Sequence, residues 1–453
     1  MAITYLVRPT NPTLIPGSGS NDSVSPSGSG RTAIARVNVV PFDTYTAARK
    51  VGVVAFHIHG IDRVTAQANG GDIQTVYSMA LNSTSATIEY YFTLATKATD
   101  GVVNVQFVIY PTSGATRILT LQLYSNANAT APTNVKYVAT DGNDTTGDGT
   151  NGTPYATIMK AANALQVTNG TGNADGGTIY LKTGSHVLGT YSFGLLTTTV
   201  DRWLTIRPAP GLTKANVTIT GTASSDGIRT KLVRFYDVKV TGQLTSTSGQ
   251  GYLLWTDNVL VDLGDRNVRQ TWHGGFTSGY ATDSTVTNSQ NGFSGMELVR
   301  GCTVLTIGEI AYQTAGLVVN CTAEDIDGTG GPVSPNEFHP DVYQFFGNSG
   351  NVILYGVSAT VGIKAQGFFC GDNITLENAA IVDCTITNTV SGVGRTFSFG
   401  GPTTHLYVLD SAFVGPNCTW AVAPDANFVG TDVVVENSTF NDALEAAAGV
   451  TVR

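Results

Sequence analysis

Hydrophobic and polar residues alternate in short runs along most of the chain. Between residues 32 and 126 the runs Val51-Gly-Val-Val-Ala-Phe-His-Ile-His-Gly, Ala86-Thr-Ile-Glu-Tyr-Tyr-Phe-Thr-Leu and Val102-Val-Asn-Val-Gln-Phe-Val-Ile-Tyr read as β-strands. Asn69-Gly-Gly-Asp, Thr99-Asp-Gly and Pro111-Thr-Ser-Gly supply turns between them at the spacing of a β-sandwich. His57 and His59 fall on one side of a strand, where two ordinary half-buried histidines are favoured over a metal pair.

Beyond residue 135 the pattern becomes a repeat. Short strands begin at Asp237, Asn258, Ser284, Cys302, Cys321, Val357, Cys384, Ser411 and Ser438, the last four at intervals of 27 residues. A period of this size without amphipathic helices predicts a solenoid whose coils bury one another's faces. Coils would stack about 4.8 Å apart, so residues one period apart form columns. The gap from 321 to 357 is the longest and is expected to carry the largest, functional loop. The pattern therefore predicts an all-β chain in three parts. An arm ending in a flexible Gly/Ser/Pro linker covers 1–31, a sandwich 32–126 and a solenoid 135–453.

Composition supports this and removes several function classes. Only 13% of the 453 residues are charged, about half the usual share, and Gly is abundant at 52. The formal net charge of −9 argues against nucleic acid as a main partner. No run of 18 apolar residues exists, so membrane insertion is not expected, and no signal peptide is visible at the N-terminus. Cys302, Cys321, Cys370, Cys384 and Cys418 are odd in number and lack a CxxC pair, which favours small buried core residues over disulfides or zinc.

The run from Tyr90-Tyr-Phe-Thr-Leu to Val102-Val-Asn-Val resembles bacterial immunoglobulin-like modules. Residues 135–158, with Tyr137-Val138, Asp141-Gly142, Asp148-Gly149 and Pro154-Tyr-Ala-Thr-Ile158, resemble the opening segment of right-handed parallel β-helix proteins that act on polysaccharides. That resemblance implies a right-handed parallel β-helix led in by a short capping helix. It spans lyases, hydrolases and viral spikes alike. Asp141, Asp144 and Asp148 are read as loop acids bonding their own backbone, ahead of a Ca²⁺ cluster.

The long gap concentrates Glu324, Asp325, Asp327, Glu337, His339 and Asp341. Aligning Phe345, Phe368 and Phe399 on successive coils sets Asp341, Lys364 and Arg395 in one surface column. His339-Pro-Asp341-Val-Tyr343-Gln344 resembles a motif of exposed strands in polysaccharide-active β-helices. β-Elimination of a uronate would use Lys364 as base, Arg395 on the carboxylate, and His339 and Asp341 beside them. Asp325, Asp327 and Glu337, with Asp341, would hold a Ca²⁺ ion. Tyr343, Gln344, Gln366, Trp272 and His273 would contact the sugar. Hydrolysis would instead pair Asp341 with Asp325 or Asp327. A salt-bridge ladder and a binding-only groove remain open beside both. The expected partner is a polysaccharide, and the setting extracellular or virion-borne. A tail-spike role would bring a homotrimer and contacts to phage particle proteins.

Overall fold

The computed structural model describes residues 23–24, 32–69, 71, 74–78, 88–128, 132, 134–168, 177–188, 203–220, 233–242, 244, 254–266, 279–327, 340–345, 349–362, 366–370, 374–389, 395–399, 401–415, 419–421, 430–440 and 450–452. Among the described residues the chain is all-β apart from one helix, Ile158–Thr168.

The N-terminal unit is a sandwich. Ile34–Val37, Arg49–Phe56 and Glu89–Leu94 pair antiparallel in one layer. Arg117–Ser125, Gly101–Pro111 and Ile61–Ala68 pair antiparallel in the other. Gln74–Ser78 pairs with both layers and joins them. This order is consistent with an immunoglobulin-like module. The layers enclose Val51, Val53, Ala55, Val103, Val105, Phe107, Leu119 and Leu121, all buried. Ser23–Val24, inside the segment expected to be a flexible linker, adds to this unit as an antiparallel edge strand on Arg117 and Ile118.

The rest is a parallel β-helix. Its first sheet runs through thirteen described strands from Val135–Val138 to Val450–Val452. Its second runs from Gly184–Val187 to Thr439–Phe440. A third face begins where the carboxyl halves of Thr285–Ser294 and Thr303–Gln313 bend away, and continues through Asp341–Phe345, Gln366–Cys370, Arg395–Phe399 and Thr419–Ala421.

Each repeat anchor marks the same turn between first and second sheets. Asp237, Asn258, Asp283, Gly301, Asn320, Gly356, Asp383, Asp410 and Asn437 occupy it with φ between 49° and 64°. Only Gly, Asn and Asp adopt that left-handed conformation cheaply. Their amides step from coil to coil, as in Asn320 N to Tyr355 O at 2.9 Å and Gly356 N to Val382 O at 3.1 Å. The next residue in each coil points inward. Cys302, Cys321 and Cys384 are buried there, with Cys302 N donating to Cys321 Sγ and Cys384 N to Ser411 Oγ. Burial pushes the Cys384 thiol up to about 12, which leaves it protonated and inert. Cys370 is also buried, and Cys418 lies outside the described residues.

The amino end of the solenoid is closed by the helix. Ala161, Ala162 and Leu165 join the core formed by Val138, Ile179 and Leu181. Thr157 Oγ1 caps it by accepting from Lys160 N at 3.1 Å. Asp144 accepts from Ala156 N and Thr157 N, tying the preceding loop to the cap. Hydrogen bonds from Thr153 and Thr150 hold the Asp148 carboxyl down at about 2. Asp144 and Asp148 therefore act as loop acids.

The two units share a third core. Ile34, Val40, Phe42, Val54, Phe56 and Ile88 of the sandwich pack with Trp203, Trp255, Tyr280, Leu298, Leu317, Val319, Ile353, Tyr355, Val382 and Tyr407 of the first sheet. Polar ties ring it. Arg36 pairs with Glu297 at 2.9 Å and donates to Asn351 O at 2.5 Å. Arg117 donates to Asn351 Oδ1 at 3.0 Å, Arg300 to Asn38 O at 3.1 Å, and Trp203 Nε1 to Pro41 O at 2.7 Å. The sandwich thus covers the outer side of the first sheet along the strip from Trp203 to Tyr407.

Candidate active site

The third sheet does not present the charged column. Asp341 stands opposite Gln366, Tyr343 opposite Phe368, and Phe345 opposite Cys370. Phe368 then stands opposite Phe397, and Cys370 opposite Phe399. The two steps depart from the alignment on Phe345, Phe368 and Phe399 by two residues in opposite directions and cancel, so Asp341 and Arg395 keep one register position with Gln366, rather than Lys364, between them. Phe293, Tyr312, Tyr343 and Phe368 form the inward ladder, all buried, with Phe293 and Tyr312 stacked at 6.2 Å and 8°.

Asp341 has the parity of that inward ladder and 0% exposure, which removes it from the surface role. Tyr343 is equally buried and donates to Ala315 O at 2.5 Å; burial pushes its hydroxyl far above the ordinary value. It makes no surface contact with a sugar. Gln344 is half-exposed and accepts from Gln313 Nε2 at 2.7 Å, while Gln313 accepts from Ser294 Oγ at 2.8 Å. Gln366 is half-buried. The backbone of Arg395 pairs with Thr419. Lys364, His339, Trp272, His273 and Glu337 lie outside the described residues.

The accessible acids gather at the corner where strands of the second sheet end. The described strands Leu260–Asp262, Thr322–Ile326, Ser358–Val361 and Thr385–Asn388 all end there. Asp262, in the coil of Leu260–Asp262, is held below the usual carboxylate range by a hydrogen bond from Asn288, then by Lys239 at 3.1 Å. Asp325, at φ 54°, is exposed and pairs with Arg266 at 3.0 Å. That bond carries Arg266 across the coils between them. Asp325 is therefore engaged by a guanidinium where a metal role was expected. Among the described residues no group of three His, Cys, Asp or Glu is placed to hold a metal ion.

Asp327 and Glu309 lie on adjacent coils at this corner. Ile307 and Ile326 are in register and buried, and Asp327 N donates to Ile307 O at 3.0 Å. Asp327 follows the inward Ile326 by one residue, and Glu309 follows the inward Ile307 by two; both are half-buried. Gln290, itself buried, donates to Glu309 Oε2. Gly362 on the next coil lies against Asp327, where an added Cβ would meet the Asp327 Cβ at 3.3 Å. Glu309 was not singled out from the sequence. Its signal was a carboxylate within the mainly apolar strand Thr303–Gln313, directly after Gly308.

Charge is distributed unevenly along the solenoid. Residues 135–240 carry ten Lys/Arg against seven Asp/Glu, whereas 241–453 carry six against twenty. The corner belongs to the acidic part.

No family model matches the chain, and no curated protein matches it. Among solved structures it is similar to the native crystal structure of a GH136 lacto-N-biosidase from Eubacterium ramulus. The identity is 8% and the TM-score 0.30, over 70% of this chain and 68% of that one.

Proposed function

We propose that the chain is a carbohydrate-directed β-helix protein, extracellular or virion-borne, that hydrolyses a neutral glycan with Glu309 and Asp327 as its carboxylate pair. The observation that carries this is their position on adjacent coils, which stack about 4.8 Å apart, with Asp327 opposite Gly308 and so one residue off register from Glu309. Such a step is of the order needed for one carboxyl to protonate a leaving oxygen while the other acts on the anomeric centre or on water. The Gln290 amide orients Glu309. The excess of acids in 241–453 disfavours a polyanionic substrate here. Elimination from a uronate needs cations at the same place, and Arg266 is already committed to Asp325.

The test is a panel of neutral and acidic polysaccharides, read for new reducing ends and for the ultraviolet absorbance of unsaturated uronate. Reducing ends without absorbance are expected. Glu309→Gln and Asp327→Asn should each lower the rate by about 10²–10⁴-fold with the melting temperature kept. Appearance of absorbance would replace hydrolysis by elimination. Loss of the rate in EDTA, restored by Ca²⁺, would make Asp327 a metal ligand instead.

A further inference from the structure

The outer side of the first sheet is not covered along its whole length. In its first coils, Tyr137, Tyr180, Arg207 and Tyr236 occupy one outward column, in register and half-buried. Tyr137 and Tyr180 lie with ring centroids 5.2 Å apart and planes 35° from parallel. The Arg207 guanidinium sits 4.6 Å from the Tyr236 ring, and that of Arg234 sits 4.8 Å from the same ring. Arg234 is engaged by Asp257 and Asp43. No carboxylate pairs with Arg207 among the described residues, although the chain as a whole is acidic.

We propose that this column binds an acidic saccharide, at a site separate from the hydrolytic corner. Tyrosine faces are apolar platforms with polar tips, suited to the C–H face of a sugar ring. An arginine stacked on an aromatic ring keeps its fork in plane and free to take a carboxylate or sulfate in bidentate fashion. Column residues are about 4.8 Å apart, so Tyr137 to Tyr236 spans roughly 14 Å, the reach of a short oligosaccharide. Charge complementarity selects the ligand: residues 135–240 hold the solenoid's surplus of cations, and the residues after them repel polyanions. The column would hold an acidic region of a host glycan while neutral linkages reach the corner. It does not depend on hydrolysis there.

The experiment is a glycan array of uronate-, sialate- and sulfate-bearing oligosaccharides with their neutral counterparts, using the full chain. Binding to an acidic class is expected. It should weaken at least tenfold in Arg207→Gln, which keeps the stem over Tyr236, and in Tyr180→Ala, with the melting temperature recorded for both. Asp327→Asn should bind as the parent does, which separates this site from the corner. The proposal falls if no acidic glycan is preferred over its neutral counterpart. It falls also if both variants bind unchanged, or if a single-stranded DNA oligonucleotide competes as well as the glycan, since that is generic polyanion attraction.

Discussion

The first and second sheets of the solenoid are both stacked in parallel but have opposite outer faces. Along the first sheet, one outward column reads Leu298, Leu317, Ile353, Ala380 and Tyr407, buried beneath the sandwich. Along the second, the outward column reads Thr285, Thr303, Thr322, Ser358 and Thr385 and faces solvent. The inner faces are alike, both aliphatic and buried. The difference shows that the sandwich is part of the folding unit: without it the first sheet would expose a continuous apolar strip several coils long.

The largest test of that contrast is a charge placed on each face. Leu317→Asp loses a fully buried side chain and inserts an unpaired carboxylate into the shared core, so a destabilisation of about 5 kcal/mol or more is expected. Ser358→Asp, on the open face, should stay within about 0.5 kcal/mol. Urea unfolding reads both. Equal effects would mean that the sandwich separates readily from the first sheet.

Ion pairs sharpen the same comparison. Arg36 and Glu297 retain 9% and 14% side-chain exposure, while Arg266 and Asp325 retain 24% and 50%. Arg36→Ala leaves Glu297 and the Asn351 carbonyl in a dry seam and should cost about 3–5 kcal/mol. Arg266→Ala should cost less than about 1 kcal/mol. Added salt should change the parent's stability little through the first pair, because it is shielded from counterions.

Alkaline pH should act through the covered face. Burial, with Glu89 second, pushes the Tyr355 hydroxyl up to about 12, and burial pushes Tyr280 well above its ordinary value. The unfolded chain releases these protons near pH 10, before the folded chain does. Stability is therefore full below pH 10 and falls as pH rises toward about 12. Tyr355→Phe should flatten that fall in melting curves taken across the range. If the slope is unchanged, the docking tyrosines are not what titrates.

How far the sequence disclosed this is decided by what each pattern constrains. The nine turn anchors were legible because a left-handed turn residue followed by a small inward one leaves a local signature, as in Asn320-Cys321 and Asp383-Cys384. The docked face left a signature too. Leu317-Val-Val319, Val352-Ile-Leu-Tyr355 and Ala379-Ala-Ile-Val382 are apolar without alternation, as strands buried on both sides are, whereas Ser358-Ala-Thr-Val361 alternates. The register of the third sheet was not legible. A slip of two residues preserves which side chains point inward, so Phe368 fits against Tyr343 or Phe345 on one side and against Phe397 or Phe399 on the other. That slip put Lys364 at the position that Gln366 holds between Asp341 and Arg395. Glu309 and Asp327 are brought to one corner by the regular pairing of Thr303–Gln313 with Thr322–Ile326 at an offset of 19 residues, the same offset that separates Cys302 from Cys321.

The smallest effects belong to the turn between the two faces, where the coils supply their own control. Asn320 sits at φ 52° and is exposed, and the neighbouring coils place Gly301 and Gly356 at the same position with φ 62° and 64°. Asn320→Gly should therefore change stability by no more than a few tenths of a kcal/mol, since the looser unfolded chain offsets the relief of the left-handed turn. Asn320→Ala keeps the backbone amide to Tyr355 O but forces a Cβ into the left-handed region, at a cost of about 1 kcal/mol. Asn320→Val adds a branched Cβ and should cost more. Urea midpoints ordered Gly, Ala, Val from most to least stable would show that the turn is governed by backbone conformation. An Ala variant as stable as Gly would show instead that the Asn320 position relaxes out of the left-handed region and that the coil-to-coil amide ladder, not φ, sets the turn.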